Sequence, residues 1–475
     1  MYPPQTSLIP ATVALVRFFL TNGFSSFSQN YPYWYLGTTP YRYLIGPIIP
    51  LMYSFFRIFL KTDSLFNITI YLIIFSIILS GVGWTWLASK ISGDKRKIFL
   101  TLSFLVFIVF PYKYLYALAL GEVSYFLAIC FLPFAFIFAW NYLKDRSLLN
   151  LILSSFFAFL MLLIHTNVLV SYIVGDVALV LASVFKNGRI GKFEKRLKRS
   201  FLPLLTGLAA VTFWFGPGFW KMILLNPGIG GQSSARVLVN ILGFFKNIVP
   251  LILVVVFVKF RAKFKDPLSV FTYIWLGSFL VLTIFRFLAN PSFWMDYISW
   301  FPEMEIGLWF ITISLIFPRI ASFKLDLTHF VPLSVSVLTA SVIFRSLGSP
   351  SLISKNPPVV TDSLSEICTY QGKTVFVTGS NTFWLNAFCN IRQVRGGRDE
   401  VSIDPLWRDA SYDFREGQNV EKIRQDLGKL NVSYVLVNTK ESADYYKDFK
   451  NISLWPKVGT PVSSFNGDII YKIQN

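Results

Sequence analysis

The sequence predicts a polytopic all-α membrane protein of about ten transmembrane helices, with a small exported α/β domain at its C-terminus. Three observations predict it. Of 475 residues, 54% are hydrophobic and 49 are Phe, more apolar surface than a soluble chain of this length can bury. Runs of about 20 apolar residues recur up to Leu347. The loops between them alternate in character: one set is basic, the other poor in Lys and Arg and rich in Pro, Trp and Gly.

The predicted spans are, in order, about 67–89, 98–112, 120–143, 147–164, 167–186, 200–217, 239–258, 268–287, 305–321 and 328–347. Lys90, Lys144, Lys192, Lys263 and Arg319 mark successive basic loops. The positive-inside rule assigns these to the cytoplasm without forcing any of them. Residues 1–66 and 348–475 then lie outside, and the chain is a multi-pass protein of the cell membrane. The net charge of +19 is concentrated in those short loops, so membrane topology accounts for it and nucleic acid is not an expected partner.

Within residues 1–66, Leu8–Leu20 is too short to span. Tyr41–Leu60 is apolar but interrupted by Pro47 and Pro50 and punctuated by Arg42 and Arg57. Both suit helices lying at the outer membrane surface. Getting residues 1–66 across the membrane calls for a span upstream of them.

The tail changes period. "GKTVFVTG" (Gly372–Gly379) reads as a buried strand, Gln418–Leu430 as an amphipathic helix, "VSYVLVN" (Val432–Asn438) as the next strand, Glu441–Phe449 as a short helix and "GDIIYKI" as a last strand. "RGGRDE" (Arg395–Glu400) reads as a turn rather than a phosphate loop. Cys130 lies in an apolar run. Cys368 and Cys389 share the tail, where they are either free or a disulfide.

Few ionisable groups stand where chemistry at the outer face would need them. Glu122, in "ALGEVSYF", lies at the outer end of a span: a general base in a wet cavity, or a carboxylate favoured by a helix N-terminus. His165, in "LLIHTN", is in an outer turn and either handles protons or phosphate or caps backbone groups. His329 follows a cytoplasmic loop. Asp296, Glu303 and Glu305 share an outer loop with Trp294 and Trp300. Carboxylates beside aromatics suit sugars, and also metal ions or a solvated aromatic belt. Asp176 is mid-span and reads as structural. Arg42 sits among Tyr33, Trp34, Tyr35, Tyr41 and Tyr43, where it either holds a lipid-linked phosphate in a bidentate grip or anchors headgroups.

The stretch "YPYWYLGTTPYRYLIGPIIP" resembles the first outer loop of GT-C-type membrane glycosyltransferases. The order "LALGEVSYFLAICFLPF", "IHTN" and then "VRGGRDEVSIDPLW", "LGKLNVSYVLVN" and "DIIYKI" resembles the YfhO-like subgroup, also labelled 6-pyruvoyl-tetrahydropterin synthase-related. The resemblance implies transfer of a sugar from a polyprenyl-phosphate donor at the outer face to a glycan, lipid or protein acceptor. Glu122 and His165 would be catalytic. Arg42, Tyr33, Trp34, Tyr35, Asp296, Trp300, Glu303 and Glu305 would bind substrate, the Asp296–Glu305 loop acting as a lid. No metal ligands are assigned, a divalent ion remaining an open cofactor. GT-C enzymes carry an acid early in the first outer loop, whereas residues 1–62 here contain none. That departure favours the alternative, a non-catalytic envelope-assembly or anchoring protein whose exported domain binds glycans or partners. Lys, Ile, Phe and Tyr usage hints at an archaeal source.

Overall fold

In the computed structural model, residues 1–43, 45–93, 97–110, 113, 116–186, 193–225, 266–289, 300–316, 353–398, 402 and 406–474 are described. The predicted spans at about 239–258 and 328–347, together with Asp296 and His329, lie outside them.

Among the described residues, two helices of more than ten residues precede the bundle: α1 (Ile9–Asn22) and α2 (Ile48–Leu60). Phe55, Ile58 and Phe59 leave one face of α2 apolar and exposed, the pattern of a helix resting in lipid. The bundle follows as α3 (Leu65–Ser92), α4 (Lys97–Val109), α5 (Val123–Asp145), α6 (Leu148–Ile164), α7 (Val168–Lys186), α8 (Phe193–Leu225), α9 (Pro267–Ala289) and α10 (Phe301–Ile311). Each overlaps a predicted span, α10 by seven residues. Four segments are long and apolar enough to cross a membrane among the described residues: Leu65–Ser92, Val123–Asp145, Val168–Phe185 and Glu194–Pro217.

Local chemistry sets the ends. Ser64 caps α3, its hydroxyl accepting from Asn67 N, and Gly93 closes it in the left-handed region. α8 is broken at Gly216 (φ 71°), next to Pro217. α10 begins at Phe301–Pro302, the preferred place for proline in a helix. Glu303 and Glu305 are therefore buried residues of a helix, 0% and 5% exposed, and not part of an open loop.

The tail is a five-stranded sheet, β1 (Thr374–Phe376), β2 (Arg392–Gln393), β3 (Val432–Asn438), β4 (Gly459–Phe465) and β5 (Asp468–Ile473), in the order β2-β1-β3-β5-β4. The first three are parallel; β5 is antiparallel to β3 and β4. Helices α11 (Thr361–Ile367), α12 (Asn381–Phe388), α13 (Leu406–Glu416) and α14 (Val420–Lys429) complete it. Cys368 and Cys389 form a disulfide that ties α11 to α12.

The helix expected at Glu441–Phe449 is absent. Asp444 takes the backbone N–H groups of Ser380 and Tyr446, and Ser442 donates to Asp468 at 2.5 Å. These side-chain bonds offer the backbone an alternative to helix. The tail's core is continuous with the bundle's: Val375, Trp384 and Leu385 pack in one buried cluster with Ile9, Val13 and Phe66.

Candidate functional site

The N-terminal strip and the turn before α5 build the site together. Ser7 Oγ donates to Leu118 O at 2.8 Å, and Leu8 N donates to Leu120 O at 3.0 Å. This brings the strip across Gly121, whose φ is +75° and where a Cβ would lie 2.5 Å from the backbone N of Leu8 and Ile9. Only glycine permits both the conformation and the approach. Glu122 comes next, at the N-cap of α5.

The aromatic stretch supplies the other half. Trp34 is fully buried and Tyr35 nearly so, and both lie against the loop after β2. A Cβ at Gly396 would meet Tyr35 Cε2 at 2.5 Å and Trp34 Cβ at 2.8 Å. Gln393 N donates to Tyr33 O at 2.9 Å, and the Tyr35 ring packs on Trp407 at 4.8 Å. The loop so seated delivers Arg398 to Glu122: Nη1 to Oε1 at 2.8 Å and Nη2 to Oε2 at 3.0 Å, with side chains 8% and 21% exposed. A fork-to-fork pair of this kind is among the stronger hydrogen-bonded contacts of proteins. The sequence reading took "RGGRDE" for a turn. Its two glycines beside an arginine were the available signal, but the partner is 276 positions away.

His165 closes α6 and is buried among the same groups, within the fields of Glu122 and Arg398. Its ring meets Tyr125 edge-on at 5.3 Å, and Asn167 N approaches Nδ1 at 3.3 Å. That contact assigns Nδ1 as acceptor and leaves the proton on Nε2. Burial pushes the His165 pKa down from 6.5 to about 4, so the ring is neutral near pH 7.

Glu303 lies nearby on α10. Tyr125 Oη and Ser171 Oγ each donate to its Oε1 at 2.6 Å, while Oε2 is buried with no hydrogen-bond partner among the described residues. Glu305, two residues on and so about 200° around the helix, faces elsewhere. It accepts from Lys113 Nζ and Lys113 N, both at 2.7 Å. Tyr116 sits in the fields of Glu122, Glu303 and Arg398, which places these groups in one neighbourhood.

Arg42 is placed differently. Its Nη1 donates to Trp214 O at 2.6 Å, its guanidinium stacks 4.5 Å over the Trp214 ring, and Trp214 Nε1 donates to Tyr41 O at 2.8 Å. The cation that meets Glu122 is thus Arg398 and not Arg42. Trp300 is buried against Phe279 at 5.5 Å, and Tyr33 is half-buried. Asp176 is fully buried in α7, with Ser200 and Tyr172 as polar neighbours. No group of three or more metal-ligating side chains occurs among the described residues.

In the tail, the N-terminus of α12 follows β1, where parallel α/β sheets hold phosphates. Here the protein fills it itself. Asp444 accepts from Ser380 N at 3.0 Å and from Gln5 Nε2 at 3.2 Å, and Trp384 Nε1 donates to Gln5 O at 2.8 Å.

No protein-family model matches the sequence, and neither does any curated protein. Solved structures do match. The apo form of the Archaeoglobus fulgidus oligosaccharyltransferase is similar with a TM-score of 0.54 at 12% identity, over 96% of this chain and 69% of that one. The same enzyme tethered to an acceptor peptide containing the NVT sequon gives 0.53 at 12% identity, over 90% of this chain. Archaeal oligosaccharyltransferase AglB from Archaeoglobus fulgidus, in complex with an inhibitory peptide and a dolichol-phosphate, gives 0.55 at 12% identity. This chain spans 64% of the length of the latter two. At such identity the likeness is one of fold: a mostly helical chain with candidate membrane helices and a small sheet, similar to these oligosaccharyltransferases.

Proposed function

We propose that this protein is a GT-C-type membrane glycosyltransferase. It would take a sugar from a polyprenyl-phosphate-linked donor at the outer face of the membrane and pass it to a glycan, lipid or protein acceptor. The carrying observation is the Glu122–Arg398 pair, a carboxylate at the rim of the helical bundle bridged to a guanidinium of the tail. The fold likeness and the YfhO-like resemblance of the sequence support the same reading.

The chemistry is a single displacement. An acceptor hydroxyl gives its proton to the Glu122 carboxylate, its oxygen bonds to the sugar C1, and the C1–O bond to the lipid phosphate breaks. The electron pair leaves with the phosphate, whose negative charge Arg398 meets. In the resting structure the two groups neutralise each other. Donor phosphate competing for Arg398 would release Glu122 to act as base, so donor binding would prime the site. Neutral His165 and the Glu303–Tyr125–Ser171 cluster orient the polar floor behind them. Tyr33, Trp34 and Tyr35 act by seating the Arg398 loop, and Arg42 by fixing Trp214.

The second reading, a non-catalytic envelope-assembly protein, is favoured by the completeness of that pair, which leaves Glu122 no free oxygen at rest. Transfer from a radiolabelled polyprenyl-phosphate hexose in membranes separates the two. The proposal expects transfer by the wild type and a loss of about 10²–10⁴ in rate for Glu122→Gln. Absence of transfer by the wild type supports the second reading. Undiminished transfer by Glu122→Gln removes that residue from the mechanism.

A further inference from the structure

A polar concavity of about 390 Å³ opens between α1, the loop that follows it and the α12–β2 connection. Arg17 and Phe18 line it from α1, Gln29, Asn30 and Tyr33 from the loop, and Asn390 from the tail. Its lining contains no carboxylate. The Gln29, Asn30 and Asn390 side chains are exposed, and among the described residues no hydrogen bond engages their carboxamides. Arg17 spends one N–H, from Nη1, on Ala387 O at 3.1 Å, and its other donors meet no acceptor among the described residues. Phe18 and Tyr33 are half-buried rings, both packed edge-on against Tyr31.

We propose that this cavity binds an acidic saccharide unit, a hexuronate or similarly charged sugar. Each carboxamide carries a donor and an acceptor side by side, which matches vicinal sugar hydroxyls. The rings offer apolar faces to sugar C–H groups, and Arg17 is the cation for a carboxylate. The position gives the cavity its place in the reaction, and this part rests on the reading of Glu122–Arg398 as the reacting pair. Ile9 touches Gly121, and Arg17 is eight residues further along the same helix, an axial distance of ~12 Å. A short oligosaccharide is long enough to cover that distance. The cavity is then a distal subsite that reads a sugar unit remote from the bond being made, and binding energy gathered there positions the reacting end.

The test is binding of trigalacturonate, with neutral maltotriose as control, to the full chain in lipid nanodiscs by isothermal titration or saturation-transfer NMR. Trigalacturonate is expected to bind more tightly than maltotriose. Arg17→Gln should weaken it about tenfold or more, as loss of a charge-assisted hydrogen bond implies. Gln29→Ala and Asn390→Ala remove exposed groups on which the fold does not depend, and should each weaken binding several-fold. Equal binding of the two trisaccharides overturns the acidic assignment. No binding of either, or binding indifferent to all three substitutions, overturns the site. Binding needs no turnover, so it is separable from the function proposed above. A protein that binds trigalacturonate, loses that binding with Arg17→Gln and transfers no sugar retains the subsite and refutes the glycosyltransferase.

Discussion

Replacing Arg398 by Met removes the only cation facing Glu122 among the described residues and leaves a mostly buried carboxylate unpaired. Breaking a fully buried ion pair costs about 3–5 kcal/mol. Glu122 retains 21% side-chain exposure, so water recovers part of that cost, and we expect on the order of 2–3 kcal/mol. Glu122→Gln leaves the guanidinium a neutral acceptor and should cost less. Because the two side chains touch, the double variant should be less destabilised than the sum of the singles, by ~1–3 kcal/mol. The assay is unfolding of the four proteins in detergent, followed by tryptophan fluorescence in a denaturant titration. The effect should be largest in the docking of the tail, since Arg398 enters from the tail and Glu122 from the bundle. Additive behaviour of the two substitutions, or an Arg398→Met variant within about 0.5 kcal/mol of wild type, would refute the claim that this pair couples tail to bundle.

Three further outcomes are expected. Gly121→Ala forces a left-handed residue and a 2.5 Å clash onto the N-terminal strip; it should free that strip to limited proteolysis, at a cost of about 1–3 kcal/mol. The His165 pKa is depressed in the fold, so the unfolded chain takes up its proton at about 6.5 while the native state resists until about 4; stability is complete above that window and is lost as pH falls through it, by up to ~3 kcal/mol. A His165→Gln variant should flatten the pH dependence between those values, and an unchanged profile would contradict the buried neutral ring. Reduction of Cys368–Cys389, which closes a loop over a sequence separation of 21, should cost about 3 kcal/mol, read as a lower denaturation midpoint with dithiothreitol.

Much of the architecture is legible in the sequence, for physical reasons that also explain where reading stops. Apolar runs give the bundle helices because their length and composition are local properties, and Val432–Asn438 is read as a strand to the residue. The loop reading of Glu303 and Glu305 fails because acids beside tryptophans look solvent-facing. Their burial depends on Tyr125, Ser171 and Lys113, all more than 130 positions away. The helix expected around Asp444 fails for a similar reason, since Asp444 is claimed by Ser380, 64 positions earlier. Glu122 and His165 lie near one another at one end of the bundle, an arrangement that span boundaries make legible, whereas Arg42, expected beside them, sits on Trp214. Arg398 is missed: nothing local in "RGGRDE" tells that Trp34 and Tyr35 will hold its glycines. In the structure, Trp34 and Tyr35 of the aromatic stretch form the seat of that loop.

The claim that the Glu122–Arg398 pair receives the donor phosphate is tested most directly by a structure of the full chain in lipid with a polyprenyl-phosphate bound. A phosphate oxygen is expected within hydrogen-bond distance of the Arg398 guanidinium, with Glu122 released from its bidentate contact and turned toward the space an acceptor would occupy. A phosphate bound elsewhere, with the 2.8 and 3.0 Å contacts of the pair unchanged, would contradict it.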